Sequence, residues 1–362
     1  MRIGLITVDG ANFPNIPLMK LSAYHKALGD HVEWYQPFGE RYDLVYMSKV
    51  FSFTPDFEQC VNADRIVKGG TGYAIKLVNG REIFDKAQDV DLPYVVEHIF
   101  PDYSLYGITD TAYGFLTRGC PGGCGFCIVG YKEGLKSWRT AKLKEFWNGQ
   151  KNIVLSDPNV LACAEWREVL AELAESKASV DFNQGLDIRL INREKIEALN
   201  DVKLKEIRFA WDRYEDKELV LSKLEEFATY SKKKPHARNA MVYTIVNFNT
   251  TFEQDVERIE TLRKMGYWAY VMVYDKAHCD EKYRDLQRWV NTRSCFYACE
   301  SFEDYKSAAA LNRGASGKSL CLNWKNGIIN SWYYFKKVMK YEFEKYFKQV
   351  NRGGAGAAPG RN

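Results

Sequence analysis

The feature that most constrains the fold is a sixfold alternation of short apolar runs with helical segments, beginning at residue 111. The apolar runs lie at 112–119, 152–157, 178–184, 205–212, 241–247 and 268–275. Strands that alternate with helices are typical of a parallel sheet. Six such units are three quarters of the eight in a complete barrel. The sequence therefore predicts an α/β fold with a partial (β/α)6 barrel of the TIM type over residues 111–290.

Helix signals accompany these runs. Periodicity predicts helices over 162–176, 193–199 and 215–230. Thr250 precedes Glu253 by three residues, which predicts a capping box for a further helix that ends at Gly266.

A second, smaller α/β region precedes this core. Strands are predicted at 2–8, 31–35, 43–51 and 64–70, with a helix over 16–29 that has Pro17 in its first turn. The pattern predicts a Rossmann-like or flavodoxin-like domain over residues 1–90, followed by an ordered connector over 91–110.

The C-terminal part is predicted to be helical. Aromatic and aliphatic residues recur at intervals of three and four over 332–350, which predicts an amphipathic helix within a helical extension over 291–352. Residues 353–362 are rich in glycine and alanine and are expected to form a flexible tail.

Composition narrows the class of protein. Of the 362 residues, 46% are hydrophobic and 27% are charged, which is typical of a folded globular chain. The net charge of +4 neither requires nor excludes a nucleic-acid partner. We find no secretory signal or membrane-spanning run, so we expect a cytoplasmic protein. In that compartment its nine cysteines are expected to be free, metal-bound or catalytic.

Three of the nine cysteines lie in the stretch "TRGCPGGCGFC", residues 117–127. Cys120, Cys124 and Cys127 have the spacing of one helix face, but a proline and three glycines would cost a helix several kcal/mol, at about 1 for each glycine and about 3 for the proline. A glycine-rich loop can instead curl around a compact group. Structural zinc needs a fourth ligand, and no second cysteine pair is adjacent. An iron–sulfur cube held by three thiolates would keep one iron open.

The spacing C-x3-C-x2-C, with Phe126 directly before the last cysteine, resembles the signature of the radical S-adenosylmethionine (radical SAM) superfamily. The resemblance extends through "DPN" (157–159), "FNQGLDIRLI" (182–191), "RFAWD" (208–212) and "YVMVYD" (270–275). It implies a 4Fe-4S cluster on the three cysteines that cleaves S-adenosylmethionine to methionine and a 5′-deoxyadenosyl radical, which takes hydrogen from a substrate of unknown identity. It also implies an electron donor of the flavodoxin or ferredoxin type.

Several residues are implied to bind S-adenosylmethionine. Phe126 would lie beside the adenine. The superfamily's Gly-Gly-Glu stretch is absent, and Asp157 is a candidate for the ammonium contact or, alternatively, for a helix N-cap. Asp187 would bind the ribose and Arg189 the carboxylate, with Gln184 beside them; a structural salt bridge is the alternative. Asp212 would meet the ligand or cap the next helix.

The N-terminal region resembles the cobalamin-binding domain of one radical SAM subgroup, on the glycine turn of "VKGGTGY" (67–73). Ala11 stands where that subgroup often has the cobalt-ligating histidine, and His25 is expected to be a packed or surface residue. A cobalamin-dependent methyltransferase is therefore an alternative function, and a non-catalytic metal-binding scaffold is a third. Cys279, Cys295, Cys299 and Cys321 are either thiols without a metal or ligands of an auxiliary cluster.

Overall fold

The computed structural model describes residues 1–10, 13–78 and 81–306. Its strands are β1 (Arg2–Thr7), β2 (His31–Trp34), β3 (Tyr42–Ser48), β4 (Ala63–Gly69), β5 (Ile75–Val78), β6 (Arg81–Phe84), β7 (Thr111–Gly114), β8 (Thr117–Arg118), β9 (Trp138–Arg139), β10 (Asn152–Leu155), β11 (Ser179–Phe182), β12 (Leu204–Ala210), β13 (Ala240–Val246) and β14 (Trp268–Val273). Its α-helices are α1 (Ile16–Ala27), α2 (Thr71–Ala74), α3 (Tyr94–Glu97), α4 (Val129–Lys132), α5 (Trp166–Ser176), α6 (Arg193–Asp201), α7 (Lys217–Tyr230), α8 (Phe252–Lys264), α9 (Glu281–Asn291) and α10 (Arg293–Ala298).

The first sheet has four strands in the order β2-β1-β3-β4, and each neighbouring pair is parallel. Helix α1 begins where the Asn15 side chain accepts a hydrogen bond from the backbone N–H of Leu18, with Pro17 in the first turn. Its buried Leu18 and Leu21 pack with Ile3 and Leu5 of β1, which closes the hydrophobic core of this sheet. The strands and the helix predicted over residues 2–70 are therefore present.

The second sheet has six strands in the order β14-β13-β12-β11-β10-β7. Neighbours in space are also neighbours in the sequence of sheet strands, as expected for repeated strand–helix units. Strands β7, β10, β11 and β12 pair in parallel, with Val154 opposite Tyr113 on one side and opposite Asp181 on the other. The carboxyl ends of these strands thus share one edge, where loops bring side chains together.

Helix α5 shows how the alternation is built. Val169, Leu170 and Leu173 recur at helical spacing and are buried, while the strand residues Ile153 and Val180 are fully buried. The helix ends at Lys177, which takes a left-handed conformation with φ of 57°. Apolar residues on one face of each element thus form the core of this part of the chain.

Two features differ from the sequence predictions. The capping box of α8 lies one residue later than predicted: Thr251 is the N-cap and Gln254 completes the box, whereas the predicted Thr250 hydroxyl is buried without a hydrogen-bond partner. The antiparallel hairpin β5–β6 was not predicted at all.

The connector over 91–110 is ordered, as predicted, and contains the short helix α3.

The chain forms two compact units. The first comprises Met1–Trp211 and Glu215–Met241, and the second comprises Asp212–Tyr214 and the described residues from Val242 onward. A domain boundary near residue 90 stays a prediction. The helix predicted over 332–350, the tail over 353–362, Ala11 and Cys321 lie outside the described residues.

Candidate metal centre

The cysteine loop, residues 119–137, leaves the sheet at the end of β7 and returns through a small hairpin. After β7 the chain passes the buried Leu116 into β8, which pairs antiparallel with β9 so that Thr117 faces Arg139. The loop is therefore held at both ends, at the carboxyl edge of the strand that opens the six-stranded sheet.

The base of the loop is closed by one glutamate. Glu133 accepts a hydrogen bond from the backbone N–H of Gly119 at 2.9 Å and one from Arg118 Nη1 at 3.0 Å. The N–H of Cys120 donates to the carbonyl of Gly134 at 3.3 Å. Gly119 has a φ of 74°, and a Cβ there would overlap the carbonyl oxygen of Lys136. Only glycine fits at this position.

The three cysteines are partly exposed and none is in a disulfide. Cys120 and Cys124 flank Gly122: a Cβ on Gly122 would lie 3.3 Å from one Sγ atom and 3.4 Å from the other. The Gly122 N–H donates to Cys120 Sγ at 3.4 Å, and Cys124 Sγ lies 3.8 Å from the Gly122 carbonyl oxygen. The space a side chain would fill is thus the space between two thiols.

No three His, Cys, Asp or Glu side chains within the described ranges are arranged to hold a metal ion as they stand. The donor set nevertheless fits an iron–sulfur cluster, which thiolates bind. Gly122 keeps a side chain from filling the gap between two of the thiols, and the third cysteine follows Cys124 by three residues, with its N–H donating to the Cys124 carbonyl at 2.9 Å.

Asp157 supports the strand that leads into the cysteine loop, and its predicted contact to the ammonium group stays a prediction. Its Oδ1 accepts hydrogen bonds from the N–H of Leu116, the N–H of Thr117 and the Thr117 hydroxyl, at 2.9, 2.5 and 2.8 Å. Its Oδ2 is buried without a partner. Burial raises the pKa of Asp157 to about 6, against the effect of these hydrogen bonds. It caps no helix, since Asn159 holds the N-cap of the short 3-10 helix Val160–Ala162.

A polar network runs from Cys120 to the end of β11. Asn159 Nδ2 lies 3.5 Å from Cys120 Sγ and 3.3 Å from Asp187 Oδ2. Asp187 receives both Nε and Nη2 of Arg189 at 2.9 Å, a bidentate pair. Arg189 Nη1 also donates to Asp216 at 3.1 Å, and the Asp187 carboxylate holds the pKa of Arg189 above its usual range.

Arg189 therefore lies beside the loop while it is paired within the protein. Its Nη2 is 4.0 Å from a Cβ built on Gly122. The bidentate contact is the structural salt bridge given above as the alternative, and the ligand contacts predicted for Asp187 and Arg189 stay predictions.

The remaining predicted site residues are placed as follows. Phe126 is partly exposed within the loop, and Gln184 is exposed just after β11. Asp212 belongs to the second unit, where its Oδ1 accepts a hydrogen bond from the N–H of Ile245 at 3.1 Å. Its carboxylate thus supports β13. A ligand contact for these three side chains stays a prediction.

Three residues of this site were not predicted: Asn159, Asp216 and Glu133. Asn159 stands in the "DPN" stretch, two positions after the residue that was chosen. The stretch could have indicated it, because an amide following a strand end can donate to a nearby thiolate.

The glycine turn after β4 serves packing within the first unit. Gly70 has a φ of 97°, and a Cβ there would overlap the carbonyl oxygen of Lys49; a Cβ on Gly72 would lie 2.8 Å from the carbonyl oxygen of Phe51. These two glycines therefore make room for protein backbone.

His25 is a packed residue, which was one of the two predicted alternatives. Its Nδ1 lies 2.7 Å from Asp30, and its Nε2 lies 3.0 Å from the Tyr46 hydroxyl.

The cysteines near the C-terminus are scattered. Cys299 is buried, Cys279 is partly exposed, and Cys295 is disulfide-bonded, contrary to the expectation that no cysteine would be. In the part of the chain that the structure covers, no helix combines the length and the apolar character needed to cross a membrane.

Comparison with known proteins adds one finding about the fold. No protein-family model matches the sequence, and no curated protein matches it. Among solved structures, the chain is similar to the radical S-adenosylmethionine methyltransferase TsrM from Kitasatospora setae, solved with cobalamin and a [4Fe-4S] cluster bound. The match has a TM-score of 0.53 at 10% sequence identity and covers 75% of this chain and 74% of that chain. The resemblance seen in the sequence is therefore confirmed at the level of the fold.

Proposed function

We propose that this protein is a radical SAM enzyme, built on a partial (β/α)6 barrel, that holds a 4Fe-4S cluster on Cys120, Cys124 and Cys127. The observation that carries the proposal is the loop itself. Two of its thiols border Gly122, the loop is closed by Glu133, and it follows the first strand of a parallel sheet whose fold resembles that of a radical SAM methyltransferase. Catalytic sites of such folds lie at the carboxyl ends of the strands.

Several residues of the chain would bind the cluster and S-adenosylmethionine. Cys120, Cys124 and Cys127 would each hold one iron of the cluster through a thiolate, which would leave one iron open for S-adenosylmethionine. When bound and reduced, the cluster supplies the electron that cleaves a carbon–sulfur bond of S-adenosylmethionine. Asp187 and Arg189 present a carboxylate and a guanidinium beside the loop, suited to hydroxyl groups and to a carboxylate. Phe126 offers a ring for the adenine.

The substrate would lose a hydrogen atom to the 5′-deoxyadenosyl radical, and the chemical class of this substrate is open because one fold supports many reactions. A small electron-transfer protein of the flavodoxin or ferredoxin type is proposed as the electron donor. We propose the cytoplasm as the compartment, since the cluster needs reduced thiols.

Anaerobic reconstitution tests the proposal. The protein is expected to bind about four irons per chain and, with dithionite and S-adenosylmethionine, to release 5′-deoxyadenosine. Cys124→Ala should lose both iron and product. Cys60→Ala, which removes an exposed cysteine from the first sheet's surroundings, is the matched control and should keep both. If the wild-type protein binds only zinc, or binds iron without cleaving S-adenosylmethionine, the proposal is wrong. That result would support the alternative of a non-catalytic metal-binding scaffold.

A second candidate is methyl transfer with cobalamin, which the similarity to a cobalamin-containing methyltransferase favours. The first sheet offers an apolar surface beyond β3, where the exposed rings of Phe51 and Phe53 stack at 5.2 Å. Two observations argue against a close match to a cobalamin-binding domain. Gly70 and Gly72 make room for protein backbone, and Ala11 supplies no ligand for cobalt. Cobalamin would therefore have to bind without a histidine from that position.

Cobalamin binding separates the two candidates. Purified protein is mixed with hydroxocobalamin, freed of excess by gel filtration, and its absorbance near the corrin bands is compared with that of a Phe51→Ala/Phe53→Ala variant. Retention that depends on the two rings supports methyl transfer. If neither the wild type nor the variant retains cobalamin, the result supports hydrogen abstraction without cobalamin.

A further inference from the structure

Asn159 is buried next to a proposed cluster ligand in an arrangement that leaves half of its side chain unsatisfied. The residue is only 3% exposed, and its Oδ1 is buried without a hydrogen-bond partner. A buried acceptor without a donor is costly, so the carboxamide is held there by its other half. That half, Nδ2, lies 3.5 Å from Cys120 Sγ and 3.3 Å from Asp187 Oδ2.

The orientation of the carboxamide follows from its neighbours. Asp187 is an acceptor on both oxygens, because Arg189 donates to each of them. Turning the Asn159 amide over would place its oxygen against this carboxylate, whereas the present orientation places an N–H there. The second N–H of the same group then faces Cys120 Sγ. Asp187 and Arg189 thus fix a hydrogen-bond donor on the thiol.

The backbone of Asn159 is held as well. The Ser137 hydroxyl, at the far end of the cysteine loop, donates to the Asn159 carbonyl at 3.0 Å. Ser137 is itself buried. Asn159 and the loop are therefore joined at two points: the side chain contacts Cys120 at the beginning of the loop, and the backbone carbonyl accepts from Ser137 at its end.

We propose that Asn159 sets the reduction potential of the cluster by donating a hydrogen bond from Nδ2 to the Cys120 thiolate. This rests on the proposed function. Hydrogen bonds to the cysteine sulfurs are among the features that determine the potential of an iron–sulfur cluster. A donor withdraws charge from the sulfur, which favours the reduced, more negative cluster. Asn159 is a positioning residue in this role and touches no iron.

The test compares potentials at equal cluster content. Wild type, Asn159→Leu and Asn159→Ala are reconstituted anaerobically, their iron per chain is measured, and their midpoint potentials are determined by redox titration followed by electron paramagnetic resonance. Leucine has nearly the shape of asparagine but no donor, so the iron content should stay at the wild-type value while the midpoint potential shifts to a more negative value. The alanine variant should shift in the same direction.

The matched control is Asn152→Ala, at the other end of β10, where Nδ2 lies near the carbonyl of Asp110. Its potential should equal that of the wild type. Unchanged potentials in both Asn159 variants at full iron content overturn the inference, and so does loss of iron from both, which would make Asn159 a structural support of the loop. A wild-type protein without iron would instead refute the proposed function.

Discussion

Two glycine-containing turns of the first unit follow parallel strands, and they differ in what the missing side chain makes room for. In the turn after β4, a Cβ on Gly70 would overlap the backbone of Lys49. In the cysteine loop, a Cβ on Gly122 would lie between the Sγ atoms of Cys120 and Cys124. The first turn uses glycine to pack the chain against itself, and the second uses it to keep space between reactive groups. A glycine-rich motif therefore indicates a ligand only when something other than backbone borders the glycine.

Gly119→Ala is expected to have the largest effect, because it combines left-handed strain with overlap against Lys136 and Trp138. We expect the free energy of unfolding to fall by about 4 kcal/mol. Urea denaturation followed by circular dichroism measures it. Gly134→Ala is the matched control in the same loop, since its φ of 90° is equally left-handed but no atom lies within 4 Å of the added Cβ. Equal losses in the two variants would contradict the packing argument.

Gly70→Ala tests the other turn. Strain at a φ of 97° and overlap with the Lys49 backbone should lower the free energy of unfolding by about 3 kcal/mol. Iron content after reconstitution should stay at the wild-type value, because this glycine borders no thiol. Gly29→Ala, with a φ of 82° and no neighbour within 4 Å, isolates the cost of the conformation alone. Loss of iron from Gly70→Ala would contradict the claim that this turn serves packing and not metal binding.

Asp157→Asn tests the buried support of the strand before the cysteine loop. The pKa of Asp157 is about 6 in the folded protein, above its ordinary value of 3.8, so the folded state holds a proton that the unfolded state releases. The wild type should therefore lose stability as pH rises through this window. Between about pH 4.5 and about pH 7 we expect the free energy of unfolding of Asp157→Asn to gain about 2 kcal/mol relative to the wild type.

Denaturant titrations of both proteins across this pH range measure the difference. A wild type and a variant that keep a constant difference from pH 4.5 to pH 7 would show that the carboxylate titrates at its ordinary pKa.

Gly122→Ala should have the smallest effect on stability and a clear effect on metal binding. Its backbone is not in the left-handed region, and the atoms nearest to its Cβ would be the two Sγ atoms at 3.3 and 3.4 Å and Arg189 Nη2 at 4.0 Å. The unfolding free energy of the metal-free protein should therefore change by less than about 1 kcal/mol. Iron per chain should fall, since the added methyl group occupies the space between two ligands. Gly39→Ala, with comparably tight contacts to Gln36, is the control that should keep its iron. If Gly122→Ala keeps its full iron content, glycine at this position does not serve to keep space between the thiols, and the two turns would not differ in this respect.

Much of the architecture could be predicted because local patterns and long-range structure agree. The six strands of the larger sheet lie where apolar runs were found, and α1 begins at Ile16, as predicted, with Pro17 in its first turn. The box of α8 was missed by one residue because Thr250 and Thr251 are adjacent and both have an acidic or amide residue three positions later. Sequence alone does not say which hydroxyl faces the helix.

The sequence indicated the three thiols, Asp187 and Arg189 of the candidate site but not Asn159 or Asp216, and the ligands of the predicted residues stay predictions. The spacing of the thiols is local, whereas Asn159 and Asp216 are placed by contacts across 39 and 27 positions of the chain. Asp157 was chosen on its charge, yet its Oδ1 binds the N–H groups of Leu116 and Thr117. A carboxylate near a strand end can serve a ligand or the backbone, and only the fold decides which.

The contact between Glu133 and Gly119 has a consequence for the chain entropy of the segment that carries the thiols. It joins residues 14 positions apart and so closes the cysteine segment into a small ring through protein atoms alone. Bringing together the ends of such a ring costs about 2 kcal/mol of chain entropy, which a hydrogen bond of the protein itself helps to offset. The bonds between the thiolates and a metal would then not have to supply the free energy that closes the ring.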